Sequence, residues 1–467
     1  MTEPVVTHAP GKPKLLLGAY DIASLGYTDD EYFVSGSASA YAPVGELGAD
    51  GYWEAAPSGS ADYTIRMVVL KPSDPAKFNG TVVVEWLNVS GGIDAPAIWF
   101  MAHRELVRRG YAYVAVSAQQ VGIEGGASLG MDMSLKKQDP ERYWRLNHPE
   151  DAYSYDIFSQ IGRLVRDATS SDALGPLKPE YVVAVGESQS AMFLTTYVNA
   201  VDPLAKVYDG FLIHSRFGPA APLDGKSIFV QPEASEPRAV KFRTDLRVPL
   251  MTVLTETDVV GGVRPGYYLA RQPGTERLRT WEIPGTAHAD NYTIQVSRID
   301  SGFAPLEELV AAYAPTDTLM GQQLPHFINF APQHHYVLQA AIAGLHDWIR
   351  TGAAPATVPG MELSDTDPPR PVLDENGLAK GGVRTPWVDV PIARTSGVGT
   401  AESPLSHLFG SGEPFDAATV ARLYPGGAAE YLERFTASLD AAIRSGFLLP
   451  ADREEILELA AATYPRS

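Results

Sequence analysis

The stretch Tyr181-Val-Val-Ala-Val-Gly-Glu-Ser-Gln-Ser190 constrains the fold of this chain more than any other. An apolar, β-branched run stops at a small residue, a serine occupies the turn, and Ala191-Met-Phe-Leu-Thr-Thr-Tyr-Val-Asn-Ala200 continues as a helix-compatible segment. A strand, a sharp turn and a helix in that order lift the Ser188 hydroxyl out of the end of a sheet and set it at a helix N-terminus. The usual form is Gly-x-Ser-x-Gly, because the turn presses strand and helix backbones together and both flanking positions must be small. Here the flanks are Gly186 and Ser190, and serine is small enough for the second position.

The neighbouring segments supply the sheet that such a turn requires. Residues 64–70, 81–87, 111–117, 209–214, 248–254 and 278–283 read as short, almost uninterrupted apolar strands. Helical patterns at 97–109, 154–166 and 336–350 lie between or after them, with Gly110 stopping the first. Strands apolar on both faces and alternating with helices predict an α/β fold with a mostly parallel sheet covered on both sides. Length alone would allow about three domains, but one alternation runs through the middle of the chain, so a single domain is expected. Its core spans about 64–351, preceded by a Gly-, Ser-, Ala- and Tyr-rich wrapping segment with short strands. Residues 289–332 form an insertion placed where a lid belongs, with Phe303, Leu306, Leu309, Val310, Phe327, Ile328 and Phe330 as candidate pocket groups. Residues 352–467 read as a C-terminal appendage, in which Tyr431, Leu432, Phe435, Leu439 and Ile443 recur at helical spacing.

Composition narrows the chemistry. The 45% hydrophobic content is enough for a large core, and no cysteine is present, which removes disulfides, thiolate metal sites and cysteine nucleophiles. A net charge of −19 argues against nucleic-acid and anionic-membrane partners, both of which need a positive face. The N-terminus has no basic start followed by a long apolar run, so a cytoplasmic location is expected. The adjacent His334 and His335 lack a carboxylate at ligand spacing, and the Gly-Gly pairs do not fall in a dinucleotide-binding frame. Neither a metal nor another cofactor is expected.

A serine hydroxyl needs a base within hydrogen-bond reach to act as a nucleophile. In this context the partners follow in the order serine, acid, histidine, each on a loop after a later strand. Thr255-Glu-Thr-Asp258 follows the strand ending at 254, and Pro284-Gly-Thr-Ala-His288 follows the strand ending at 283. His288 is the candidate base and Asp258 the candidate acid, with Glu256, two residues away, as the alternative. The oxyanion donors are expected to be the amide of Gln189 and an amide of Asn88-Val-Ser-Gly-Gly92, assigned to Val89. Asn88, Gln119 and His214 end strands at the same edge and are candidate substrate-binding residues.

Val84-Glu-Trp-Leu-Asn-Val89, Gly110–Gln119, Gly186-Glu-Ser-Gln-Ser190, Asp209–Arg216, Thr255-Glu-Thr-Asp258, Gly285–Asp290 and Gly381–Trp387 together resemble the α/β-hydrolase superfamily. Within it the chain resembles the bacterial esterase-like "alpha/beta hydrolase domain-containing" families. The resemblance implies an eight-stranded, mostly parallel sheet and a serine triad. The expected chemistry is cleavage of a small carboxylic ester through an acyl-enzyme on Ser188. An acyltransferase or amide hydrolase would use the same residues, and an inactive binding protein would keep the fold without the chemistry. Acyl and alcohol specificity and oligomeric state are not encoded in any motif of the chain.

Overall fold

The computed structural model describes residues 3–167, 171–228, 238–319, 321–399 and 404–465. Nine strands form one sheet: β1 (Val5–Ala9), β2 (Tyr27–Pro43), β3 (Ala55–Pro72), β4 (Thr81–Trp86), β5 (Ala112–Val116), β6 (Tyr181–Glu187), β7 (Gly210–His214), β8 (Leu250–Thr255) and β9 (Leu278–Ile283). Their order is β1-β2-β3-β5-β4-β6-β7-β8-β9. From β5 to β9 all neighbours are parallel, whereas β1, β2 and β3 pair antiparallel and β3 joins β5 antiparallel. Every residue of β4, β5, β7 and β8 is buried, as parallel strands covered on both faces must be.

The sheet therefore has nine strands where eight were expected, and the difference lies in the N-terminal region. Instead of short wrapping strands, β2 and β3 are 17 and 18 residues long and paired along their whole length. Their inward positions Val34, Ala38, Tyr41, Ile65 and Met67 are buried, but glycine, serine and alanine between them blur the alternation. Here the pairing of two long strands overrides weak local β-propensity.

Each face of the sheet has its own core. Helices α1 (Ala97–Arg108) and α4 (Gln333–Thr351) cover one face, where Trp99, Leu106, Val337 and Leu345 meet Val83, Val185 and Leu212. Helices α2 (Ser154–Arg166) and α3 (Gln189–Thr196) cover the other, where Phe158, Ile161, Met192 and Phe193 meet Val82, Val84 and Trp86. The C-terminal helices α5 (Gly427–Arg444) and α6 (Arg453–Thr463) join the α1/α4 core through Tyr431, Phe435, Leu439 and Ile456. Phe435 is 0% exposed, and truncating a phenylalanine so enclosed costs about 3–5 kcal/mol. The segment after residue 352 is thus part of the folded body.

The 289–332 segment lies between β9 and α4. Leu309, Leu319 and Ile328 are buried in hydrophobic clusters, while Phe303 is 81% exposed. Phe327 bridges through its backbone to Gly412, on the hairpin formed by Ala393–Ser396 and Ser411–Pro414. Among the described residues no helix is long and apolar enough to cross a membrane.

Candidate active site

The elbow is built as its sequence requires. Ser188 adopts φ 56° and ψ −113°, a conformation that costs a non-glycine residue about 1–3 kcal/mol and persists only when its surroundings impose it. Its N–H donates to the carbonyl of His214 at 2.9 Å, tying the turn to the end of β7. A Cβ on Gly186 would stand 2.8 Å from Leu194 Cδ1 and 3.2 Å from Ser190 Oγ, so any side chain there would have to displace Leu194 and crowd Ser190. Ser190 Oγ accepts from the Glu187 amide at 3.0 Å and donates to the Glu187 carbonyl at 2.8 Å. The hydroxyl that replaces the usual second glycine therefore staples the turn.

Ser188 Oγ lies 2.8 Å from His288 Nε2, and His288 Nδ1 lies 2.6 Å from Asp258 Oδ1. The other Asp258 oxygen accepts from the Thr255 amide at 2.7 Å and the Thr255 hydroxyl at 2.8 Å, a reciprocal cap at the start of a one-turn helix. Burial alone would raise the Asp258 pKa, but the His288 imidazole and the Thr255 donors outweigh it and hold the carboxyl below its ordinary value. Burial likewise disfavours the His288 imidazolium, yet Asp258 and then Glu187 reverse the balance and raise its pKa. Phe217 stacks on the imidazole with ring centroids 5.1 Å apart.

Glu256, the alternative acid, does not reach the imidazole. Its carboxylate accepts from the Gly285 amide at 2.5 Å, the Ser396 hydroxyl at 2.8 Å and the Gly397 amide at 2.8 Å. It ties the histidine loop to the C-terminal segment. Thr257 adds a second tie, its hydroxyl donating to the Gly397 carbonyl at 2.7 Å and accepting from the His288 amide at 3.1 Å.

The loop after β4 stands opposite. Asp94 pins it through a 2.7 Å ion pair with the buried Arg66 and a bond from the Ser117 hydroxyl. The Ser90 amide is taken by Asn88 Oδ1 at 2.8 Å, and the Asn88 amide by the Ala95 carbonyl at 3.0 Å. The Val89 amide faces Gln189, donating to its side-chain Oε1 at 3.3 Å. The Gln189 amide opens α3, where a helix leaves its first N–H groups without intrahelical acceptors. Two amides thus border the Ser188 turn, one of them engaged by a side chain.

A model of the alpha/beta hydrolase domain matches residues 1–458. The chain belongs to that family. Among solved structures it is similar to a putative dienelactone hydrolase from Klebsiella pneumoniae, with 12% identity, a TM-score of 0.31, and coverage of 60% of this chain and 95% of that one. A glucuronoyl esterase from Solibacter usitatus has 10% identity, a TM-score of 0.30, and coverage of 57% and 71%. A cold-adapted esterase from an Arctic intertidal metagenomic library has 14% identity, a TM-score of 0.30, and coverage of 56% and 86%. None of the curated proteins matches the chain.

In this alpha/beta hydrolase the remaining expected residues separate. Gln119 is engaged on every side, its Oε1 accepting from Trp86 Nε1 at 3.1 Å and Gln189 Nε2 at 2.5 Å, and its Nε2 donating to Asp151 at 3.1 Å. With Val89 and Gln189 it lines a cavity of about 470 Å³. Asn88 instead turns its Nδ2 to the Glu187 carbonyl and Glu187 Oε2, at 3.1 and 3.0 Å. His214, expected at the pocket wall, is 1% exposed, because its ring lies between the Val253 carbonyl at 3.3 Å and His334 Nε2 at 3.2 Å. Burial pushes its pKa down to about 3, so it is neutral. His334 turns its other nitrogen to Asp290 at 3.0 Å, and His335 stacks on Tyr292. Among the described residues no group of three or more histidines and carboxylates is arranged to hold a metal ion.

One further residue of the candidate site lies inside the elbow motif itself, with no role assigned from the sequence. Glu187 Oε1 stands 3.6 Å from His288 Nε2, and burial pushes its pKa up to about 7. The signal was a carboxylate next to the serine. The Gly-x-Ser-x-Gly pattern leaves that position open, so the motif itself gives it no role.

Proposed function

We propose that this alpha/beta hydrolase cleaves a small carboxylic ester by a serine mechanism. The observation that carries the reading is the unbroken chain from Ser188 Oγ through His288 to Asp258, at 2.8 and 2.6 Å, on three strand ends. His288 Nε2 takes the Ser188 proton while Oγ bonds to the ester carbonyl carbon, whose oxygen becomes an oxyanion facing the amides of Gln189 and Val89. The C–O bond to the alcohol then breaks, and His288 gives its proton to the departing alkoxide. Water adds to the acyl carbon with its proton going to His288, the bond to Oγ breaks, and the proton returns to Ser188 as the acid leaves. Asp258 keeps Nδ1 protonated, so that Nε2 presents a lone pair to the hydroxyl, and stabilises the imidazolium between steps. Covalent labelling tests the reading: a fluorophosphonate should add one adduct, located on Ser188 by peptide mass spectrometry. An adduct on another residue, or none, refutes it.

A further inference from the structure

The cavity beside the elbow carries information about what the ester is made of. Its wall contains Gln119, Gln120, Glu150, Asp151, Asp224 and Gln189, and two residues of that wall, Gln189 and Val89, also hold the amides next to Ser188. The volume, about 470 Å³, suits one portion of a small molecule.

The polar groups are fixed in place. Asp151 accepts from the Gln120 amide at 2.7 Å and from Gln119 at 3.1 Å, while Gln119 is bonded in turn to Trp86 and Gln189. An aliphatic chain placed here would strip water from the side chains of Gln120 and Glu150, which no described residue bonds, without replacing their hydrogen bonds, at about 1–3 kcal/mol for each group left unpaired. Charge excludes a second class. Lys226 Nζ pairs with Asp224 at 3.2 Å, which leaves Glu150 and Asp151 to repel an anionic moiety. A cation would meet the carboxylates but would be opposed by Lys226 and the Gln120 side-chain N–H in the same wall. Hydroxyl groups match the groups left open, because each can donate to the Glu150 or Asp224 carboxylate and accept from the Gln120 side-chain N–H.

We infer that the cavity binds an uncharged, polyhydroxylated portion of the substrate, so that the ester is one of a sugar or polyol. The inference rests on the hydrolase reading for its chemistry and on the wall residues alone for its recognition. Two experiments separate them. In Ser188→Ala protein, calorimetric titration compares an acetylated methyl glucoside with cyclohexyl acetate. The sugar ester should bind at least about tenfold more tightly, and Gln120→Leu or Asp224→Leu in the same background should lower that ratio severalfold while thermal melting stays unchanged. Equal affinities, or a ratio insensitive to both substitutions, overturn the inference whether or not the protein hydrolyses anything. In the unmodified protein, the kcat/KM ratio for the same two esters should show the same preference. If 4-nitrophenyl acetate is not turned over at all, the hydrolase reading fails, and the titration still decides the cavity's preference.

Discussion

The amide of Val89 donates to the side chain of Gln189 at 3.3 Å, and Gln189 is the residue whose own amide opens the helix behind Ser188. One side chain therefore engages one of the two donors that the proposed mechanism needs, and its other end is held by Gln119 at 2.5 Å. The contact to Val89 is the longer of the two, so an oxyanion, a stronger acceptor than an amide oxygen, displaces it at small cost. In the proposed mechanism this donor is masked in the resting site and released to the transition state.

That relationship predicts the behaviour of Gln189→Ala. Removing the side chain leaves the Gln189 amide in place and frees the Val89 N–H, so a boronic acid mimicking the tetrahedral state should bind more tightly. The gain should be a few-fold to about tenfold, the worth of one ordinary hydrogen bond. Inhibition constants against wild type check it. A weaker inhibitor in the variant would mean that the side chain supports the loop and does not mask it.

Asp258 and Glu256 should separate by the kind of damage their substitution does. Asp258→Asn leaves the shape but permits the wrong His288 tautomer, and kcat should fall by about 10⁴. Glu256→Gln places an NH₂ group among three donors, the Gly285 and Gly397 amides and the Ser396 hydroxyl. It should destabilise the fold by about 1–3 kcal/mol per unsatisfied group, read as a lowered midpoint in denaturant. At temperatures where the variant is folded, its kcat should exceed that of Asp258→Asn by orders of magnitude. The reverse ranking would move the acid's role to Glu256.

The pair also marks how far the sequence could be read. Strand ends put Ser188, Asp258 and His288 on one edge, and that much was visible because short apolar strands and their terminal loops are local features. Asp258 was favoured over Glu256 from its place after the strand, but the role Glu256 takes instead was not visible, since both are buried and Glu256 is bound by Ser396 and Gly397, far along the chain in a Pro- and Gly-rich stretch. The long β2–β3 hairpin was seen only at 64–70 for a related reason: glycine, serine and alanine dominate 35–40 and 55–61, where pairing more than local propensity makes the strands. The cavity beside Gln189 was anticipated only at Gln119, since most of its wall comes from 120–127, 149–151 and 224–228, which carry no periodic signal.

Glu187 should be visible in the pH profile. Its carboxylate, 3.6 Å from His288 Nε2, favours the imidazolium, and a base must be neutral to accept the serine proton. The acid limb of kcat/KM for an activated ester should therefore lie above the ordinary histidine value. Glu187→Gln removes a negative charge, lowers the His288 pKa and moves that limb to lower pH. An unmoved limb would show that Glu187 is protonated or screened wherever the base titrates.

The C-terminal segment gives the last prediction. Gly397 lies so close to the loops carrying Asp258 and His288 that a Cβ there would meet Thr257 N at 2.4 Å, Thr286 O at 2.5 Å and Glu256 Cβ at 2.6 Å. Two of these are backbone atoms, which cannot swing aside, so Gly397→Ala must push the segment away from the loops or the loops away from each other. Either shift loosens the bonds from Gly397 to Glu256 and Thr257 that position His288. Displacement of a catalytic group by about 1 Å can cost on the order of 10²-fold, so kcat should fall by about that factor. The neighbouring Ser396→Ala removes one bond to Glu256 without adding bulk and should cost far less activity. Thermal melting distinguishes a loosened site from a lost fold: a folded Gly397→Ala protein with full activity would show that residues after 352 do not govern the geometry of His288.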